Sequence, residues 1–459
     1  MRVLAAAGVV LAFAAAAIAS SLYRGSGAAF LFFNACFCLL VGLAFPKPRL
    51  YVYTFAAAFL VLGFWLKVVF HAIAAPGFVE PVGDFSHTPA EWDRALQVAA
   101  CAALGLSAAR LGHLAWAARL PDQVYPEPPP WFVRWRKPVW LLTIVLVIAI
   151  NAANLRFAFY QIGVRPKLPL PLHGHVLAGW LVNVGFALWV AALAWWDHRH
   201  GRPLGRGLLA AAGEAFLSAI SAFSRMNFLV HTVPYVLALA ERRAELLPAI
   251  KRRSLYMLAA AFLALFVLGV LAVFWLRVYH YYGYAADAPG NEPLAGHVER
   301  TIWKQAPLLL VHRWVGLEGV LAVGASERSA RRLAEAIFES PALGEKSVFQ
   351  RTAKPAYLSE NPAQFTFLAN AGPVAVLWFS GSLAVVLLGM AAIGAVAFAT
   401  EEAARRWTGN PFLVAVSGAT LANVVSQTTF FYLTLIFLLQ LWLALLFVGA
   451  LQRLKLGNA

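Results

Sequence analysis

Charge is scarce in this sequence. Lys, Arg, Asp and Glu together make up 13% of the 459 residues, whereas hydrophobic residues make up 61%. Soluble domains carry about 25% charged residues, because a water-facing surface needs them. The shortage excludes an ordinary soluble protein of this length and indicates a chain embedded in a membrane.

Cysteine and enzyme motifs are also scarce. The three cysteines, Cys36, Cys38 and Cys101, lie within apolar runs and form no CxxC pair. The sequence therefore predicts neither a cysteine metal site nor a disulfide. It contains no Walker loop, HExxH, GxSxG or strand-linked GxGxxG motif. ATP-driven transport by this chain has no support from such a motif.

Long uninterrupted apolar runs fill most of the chain, and its mean hydropathy is +0.70. A membrane-spanning helix needs about 20 apolar residues. Continuous runs are typical of helices, whereas barrel strands alternate apolar and polar residues. We therefore predict an all-α polytopic membrane protein. The twelve predicted spans are residues 3–21, 27–45, 50–74, 95–117, 138–157, 173–195, 208–223, 226–240, 254–277, 374–398, 411–427 and 430–452.

The net charge of +16 arises mainly from Lys and Arg clusters in short loops between these spans. Such clusters are typical of cytoplasmic loops, so nucleic acid is not expected as a partner. They predict cytoplasmic termini, a membrane bundle at 1–278, an outer loop at 279–372 and further spans at 373–459. The N-terminal stretch MRVLAAAGVVLAFAAAAIAS has the pattern of a secretory signal, but we interpret it as an uncleaved first span.

Basic and aromatic residues also occur on the side predicted to face outwards, against the usual charge rule. Arginine binds phosphate oxygens through paired hydrogen bonds, and aromatic rings stack on sugar faces. This combination favours a lipid-linked sugar pyrophosphate as the ligand. The predicted substrate-binding residues are Arg156, Arg165, Lys167, Arg225, Arg300, Arg351, Trp314 and Tyr282.

The segment VHRWVGLEGV at residues 311–320 concentrates the chemistry of the outer loop. Arg313 is flanked by apolar residues and lies five positions before Glu318. A histidine or carboxylate can take the proton from an attacking hydroxyl. The predicted catalytic residues are Arg313, Glu318, His312 and His280. Two roles stay open for Glu318: it takes the proton itself, or it pairs with Arg313 and orients it.

Short helices are expected in the outer loop. SERSARRLAEAIFESP places Leu333, Ala336 and Ile337 on one helical face and its arginines on another. The apolar stretch around VHRWVGLEGV is expected to lie half-inserted at the membrane interface.

Some ionisable residues have a structural interpretation instead. A single histidine in an apolar span is usually hydrogen-bonded within the protein, which we expect for His71, His113 and His231. Glu214 lies within a predicted span and is expected to find a partner inside the bundle.

Four segments resemble the Wzy-type O-antigen and oligosaccharide repeat-unit polymerases, which are related to the O-antigen ligases. RFAFYQIGVRPKLPLPL is similar to the family's basic mid-chain outer loop, and AISAFSRM to its Ser-Arg span end. HRWVGLEGV and FTFLANAGPVAVLWFSGS are similar to its large outer loop and to the return into the membrane.

The resemblance implies an all-helical, GT-C-like glycosyltransferase of the bacterial inner membrane with a periplasmic active site. Its donor and acceptor would be undecaprenyl-pyrophosphate-linked oligosaccharides in the surrounding membrane lipid. It would need no metal or other cofactor, and a chain-length regulator protein is a further potential partner. Arg156 and Arg165 match the mid-chain loop, Arg225 the Ser-Arg position and Arg313 the large loop. Arg313, Arg225 and Arg165 would then hold the pyrophosphate as it leaves, with Glu318, His312 or His280 as the base.

Two alternatives stay open. An O-antigen ligase, which transfers finished glycan to the lipid A core, differs little in sequence from a polymerase. A flippase or exporter of lipid-linked sugars is a different class of protein. Such transporters place cations along a cavity within the spans and often show two related halves. Here the candidate substrate-binding cations concentrate in outer loops, and the sequence does not divide into two related halves. Both observations favour an enzyme.

Overall fold

The computed structural model describes residues 2–75, 77–78, 80–121, 125–164, 167, 174–248, 250, 252–286, 311–312, 314–340, 345–354, 370–427 and 431–454. At 2–9 and 278–286 the description covers the backbone alone. In this part of the chain the regular structure is helical. The first eight helices are α1 Arg2–Leu22, α2 Gly27–Gly42, α3 Tyr51–Ala74, α4 Pro89–Ala117, α5 Pro130–Phe157, α6 Gly174–Arg199, α7 Leu204–Ser221 and α8 Arg225–Glu241.

After the short helix Arg243–Leu246, the remaining elements continue the bundle. They are α9 Arg252–Ala286, α10 Leu317–Gly324, α11 Ala330–Phe338, α12 Val348–Ala353, α13 Gly372–Trp378, α14 Leu383–Thr408, α15 Pro411–Gln427 and α16 Phe431–Arg453. Two of the long helices contain a five-residue π-helical segment, Val61–Trp65 in α3 and Leu181–Gly185 in α6.

Among the described residues, seven helices are long and apolar enough to cross a membrane: α3, α4, α5, α6, α9 (over Arg252–Arg277), α14 and α16. Shorter apolar helices lie at Val10–Leu22, Gly27–Gly42 and Pro411–Gln427. The prediction of a polytopic helical membrane protein agrees with this architecture. The number of twelve spans stays a prediction, as does the GT-C-like fold.

The tenth predicted span, at 374–398, differs from the observed helices. The chain breaks between α13 and α14, where Gly381 has φ +73° and the Ser382 side chain accepts from the Val385 N–H as an N-cap. Only glycine adopts such a left-handed conformation without a steric penalty. Helix α14 therefore starts later and runs further than predicted, and Arg405 and Arg406 lie in its last turn rather than in a loop.

The outer loop also differs from expectation. Helix α9 extends to Ala286, beyond the predicted boundary at 278. Helix α10 was expected at the membrane interface, but its residues Leu317–Val323 are all buried. A Cβ atom at Gly319 would lie 2.6 Å from the Ala371 carbonyl oxygen, so glycine permits this close packing. Helix α11 is amphipathic as predicted, with Ala336 2% exposed.

The N-terminus of α3 is bound to a distant part of the chain. At its N-terminus, the Glu401 carboxylate accepts from the backbone N–H groups of Tyr51 at 2.9 Å and Val52 at 2.6 Å. An acidic side chain satisfies the unpaired N–H groups of a helix start and complements the helix dipole. This contact anchors α3 to α14 and so positions the residues near its other end.

Candidate functional site

Helix α3 carries a lysine in its apolar sequence LGFWLKVVFH. Lys67 is 0% exposed. It lies two positions after Trp65, the last residue of the π-helical segment. An ionised amine in the interior of a membrane bundle is costly unless it is paired. π-Helical segments often mark functional sites. The surroundings of Lys67 therefore define a candidate site.

The partner of Lys67 comes from the motif VHRWVGLEGV. Its Nζ forms an ion pair with the Oε2 atom of Glu318 and donates a hydrogen bond to the His312 carbonyl oxygen at 3.2 Å. The other carboxylate oxygen of Glu318 lies 3.4 Å from Nδ1 of His312. We call these three residues the lysine–glutamate–histidine group. It joins a span to the outer-loop motif.

The environment keeps Glu318 ionised. Burial acts to raise the pKa of this carboxyl group, but the charge of Lys67 and the hydrogen bonds from His312 and Lys67 outweigh it. The pKa of Glu318 therefore lies below its ordinary value. At neutral pH the group holds a carboxylate, which accepts hydrogen bonds and has little tendency to take up a proton.

Aromatic rings lie beside the histidine of this group. The ring centroid of His312 lies 5.4 Å from that of His71 and 6.0 Å from that of Phe70. His71 stacks on Phe78 at 4.3 Å, and Trp92 follows at 5.9 Å from His71. The low polarity of this wall strengthens the electrostatic contacts inside it.

The backbone of the motif packs directly on α3. A Cβ atom at Gly63 would overlap the Val315 carbonyl oxygen, and one at Gly316 would lie 2.5 Å from the Gly63 oxygen. The Trp314 ring lies against Phe59, with centroids 6.0 Å apart. These contacts, together with the ion pair, hold residues 314–318 in one position against the span.

Some of the predicted site residues lie outside what the structure describes. Arg165, Arg300 and Arg313 are outside the described residues. His280 and Tyr282 lie in the part of α9 for which only the backbone is described. Their predicted roles stay predictions. The described residues that come together at the motif are Glu318, His312 and Trp314.

The described mid-chain basic residues lie on segments at the end of α5 and the start of α8. Arg156 is exposed at the end of α5, and the Lys167 N–H donates to the Phe157 carbonyl oxygen at 3.2 Å. Arg225 begins α8 after the Ser224 N-cap. A hydrogen bond of 3.0 Å from the Ile162 N–H to the Ala222 carbonyl oxygen joins the two segments.

Arg351 belongs to the outer segments. It lies in α12, is exposed, and donates from Nη1 to the Lys346 carbonyl oxygen at 2.6 Å. Helix α12 packs against α10, which contains Glu318. Arg351 therefore lies on a helix next to the lysine–glutamate–histidine group.

Sequence reasoning missed Lys67. The signal was present, because a single lysine interrupts a run of apolar residues within the predicted span 50–74. An ionisable residue in such a position is a functional candidate by default. The apolar run could not reveal the partner of Lys67, because Glu318 lies 251 residues further along the chain.

A second buried polar group lies between α6, α7 and α8. Oε2 of Glu214 is 3.2 Å from Nδ1 of His231, and Nε2 of His231 is 2.8 Å from the Asn183 carbonyl oxygen. Ser218 donates to Oε1 of Glu214 at 2.7 Å. We call this set the glutamate–histidine pair. The expectation that Glu214 finds a partner inside the bundle is confirmed.

Together these features define a helical membrane protein with two described groups of ionisable side chains buried in its bundle. One of these groups includes residues of the outer-loop motif. In the part of the chain that the structure describes, no group of three or more His, Cys, Asp and Glu residues could hold a metal ion. No family model, curated protein or solved structure matches this chain.

Proposed function

We propose that the chain is a membrane glycosyltransferase that polymerises undecaprenyl-pyrophosphate-linked oligosaccharide repeat units on the periplasmic face of a bacterial inner membrane. One observation carries the proposal. The motif VHRWVGLEGV, whose residue types suit a sugar pyrophosphate, is fastened to a span by a buried ion pair between Glu318 and Lys67. A loop that only connected two helices would not need such an anchor, because buried ion pairs add little to stability.

The proposed reaction joins two lipid-linked glycans. A hydroxyl oxygen of the acceptor sugar attacks the anomeric carbon of the donor, and its proton passes to a base of the motif. The bond from that carbon to the pyrophosphate oxygen breaks, and the electron pair leaves with undecaprenyl pyrophosphate. Arg313, Arg225 and Arg165 would stabilise the departing charge, and Trp314 and Tyr282 would stack on the sugars. Since pyrophosphate is a good leaving group, no metal is required by this scheme.

The test is the size of the glycans in a strain that lacks this chain. We expect single repeat units on the lipid carrier, and a ladder of longer glycans when the chain is restored. Long polymer that stays on the carrier without the chain would instead indicate a ligase. An unchanged ladder in the deletion strain would refute both activities.

A second candidate is an exporter of lipid-linked sugars. The glutamate–histidine pair favours it, because buried acid–histidine contacts within spans occur in proton relays. The same deletion strain separates the two functions. Repeat units on the cytoplasmic face would indicate an exporter, whereas unpolymerised units on the periplasmic face support the polymerase.

A further inference from the structure

We infer that Lys67 is a positioning residue of this site: it holds Glu318 as a carboxylate, and Glu318 holds the His312 ring with a proton on Nδ1. The inference rests on the proposed function and deepens it. It gives Glu318 an orienting role and removes it from the candidates for the base. It also places a residue of a membrane span in the machinery of the outer loop.

The first step is the double attachment made by Lys67. Its ammonium group contacts the Glu318 side chain and the backbone carbonyl of His312. It therefore controls both the charge of the carboxylate and the position of the peptide that carries the imidazole. An ammonium group has three donors and no acceptor, so two of its three N–H bonds are used on the motif.

The second step concerns the protonation of His312. An ionised carboxylate only accepts hydrogen bonds. Because Oε1 of Glu318 lies 3.4 Å from Nδ1, that ring nitrogen must be the one that carries hydrogen. A neutral imidazole then has its lone pair on Nε2. Among the described residues, this buried Nε2 atom has no hydrogen-bond partner, so its lone pair is left to take a proton.

The third step is that Lys67 and His312 are the described groups acting on the charge of Glu318. His71 is the next titratable residue, with its ring 5.4 Å from that of His312. On the helices packed against α10, Arg94 is directed to the Gln97 side chain and Arg351 to the Lys346 carbonyl oxygen. Among the described residues, removing Lys67 should therefore leave the carboxylate without a compensating cation.

The experiment uses the full chain in lipid nanodiscs, with lipid-linked repeat units extracted from the deletion strain as substrate. In Lys67→Met, the charge and the hydrogen bond of Lys67 no longer oppose burial, so the pKa of Glu318 rises and the protonated carboxyl group becomes favoured. We expect activity to fall by about 100-fold at about pH 7. It should recover in part towards about pH 9, as the carboxyl group loses its proton.

Two matched variants separate positioning from folding. Lys67→Arg keeps the cation, so activity should be closer to wild type and show no new pH-dependent recovery. The double variant Lys67→Met with Glu318→Gln removes both charges and the titrating carboxyl group. It should unfold at a temperature close to wild type, and its low activity should not change with pH.

A full return of activity in the double variant, together with a pH-independent loss in Lys67→Met, would show that Lys67 only stabilises the fold and would overturn the inference. Wild-type activity in Lys67→Met would also overturn the inference.

A readout independent of activity separates failure of this inference from failure of the proposed function. The chain has 11 histidines, and nitrogen NMR of the histidine-labelled protein, with His312→Gln for assignment, reports which ring nitrogen carries hydrogen. We expect Nδ1–H and an unprotonated Nε2 in the wild type, with a change in Lys67→Met. An Nε2–H form in the wild type refutes the inference. The Nδ1–H form in a protein that fails to restore the ladder refutes only the polymerase.

Discussion

Two buried acid–histidine contacts of this protein, one at His231 and one at His312, differ in the charge around them. In the glutamate–histidine pair, both ring nitrogens of His231 face oxygen atoms, those of Glu214 and of the Asn183 backbone. In the lysine–glutamate–histidine group, the cation is Lys67, and His312 uses one ring nitrogen on Glu318. Since Lys67 supplies the cation for Glu318, the Nε2 atom of His312 has no hydrogen-bond partner among the described residues, whereas His231 has both nitrogens engaged within the fold.

The two groups also differ in what they join. His231 and Glu214 are 17 residues apart and link neighbouring helices. Lys67 and Glu318 are 251 residues apart and link a span to the outer-loop motif. The first arrangement suits a crosslink of the bundle, as expected of a structural histidine. The second suits a site whose geometry depends on the meeting of two distant segments.

The largest effect is expected at His312. His312→Gln should reduce polymerising activity by about 10²–10⁴-fold, the usual contribution of a general base. The loss of its buried hydrogen bond to Glu318 should cost about 1–3 kcal/mol of unfolding free energy. Ladder formation and unfolding temperature in detergent measure the two quantities. A fully active His312→Gln variant would show that His312 is not the base, so that the two histidines would not differ in function.

Removal of the carboxylate comes next. Glu318→Ala leaves Lys67 buried without its counter-ion and should lower the free energy of unfolding by about 3–5 kcal/mol. The matched control is Glu335→Ala, because Glu335 pairs with Arg331 and Arg332 on the surface of α11. Exposed pairs contribute about 0–1 kcal/mol. Equal effects in thermal unfolding would contradict the assignment of a buried ionic anchor.

A smaller loss of stability is expected in the second group. His231→Gln removes one or two buried hydrogen bonds and should cost about 1–3 kcal/mol. Residual activity should follow the folded fraction, measured by size-exclusion chromatography of the solubilised protein. A folded but inactive variant would show that the glutamate–histidine pair takes part in function and would favour the exporter.

The smallest effect is expected at the surface. Lys354 and Asp84 form an ion pair whose side chains are 59% and 65% exposed. Asp84→Ala should change the free energy of unfolding by at most about 1 kcal/mol, because water screens such pairs. Activity should stay at the wild-type level. A large loss in either measurement would show that the contrast between buried and exposed pairs fails here.

Much of the fold follows from local patterns. Six predicted spans correspond to helices with the length and composition of membrane-crossing segments, and the tenth overlaps such a helix, α14, only in part. About 20 consecutive apolar residues have few alternatives to a helix in lipid. The amphipathic helix α11 and the internal partner of Glu214 were also predictable. The break at Gly381 was not, since the apolar run continues across it.

The candidate site was predictable only in part. VHRWVGLEGV was recognisable because polar residues interrupt an apolar stretch. The burial of this segment was not predictable, because the same composition suits the membrane interface. Helix α10 becomes buried only when α4, α12 and α13 pack around it.

The sequence by itself determined that this is a helical membrane protein, because hydropathy is a property of each segment alone. Which segments meet was decided by the tertiary structure. The contact between Lys67 and Glu318 depends on close packing at Gly63 and Gly316. No local pattern records a partner 251 residues away, since long-range contacts arise from the shapes of whole helices as they pack.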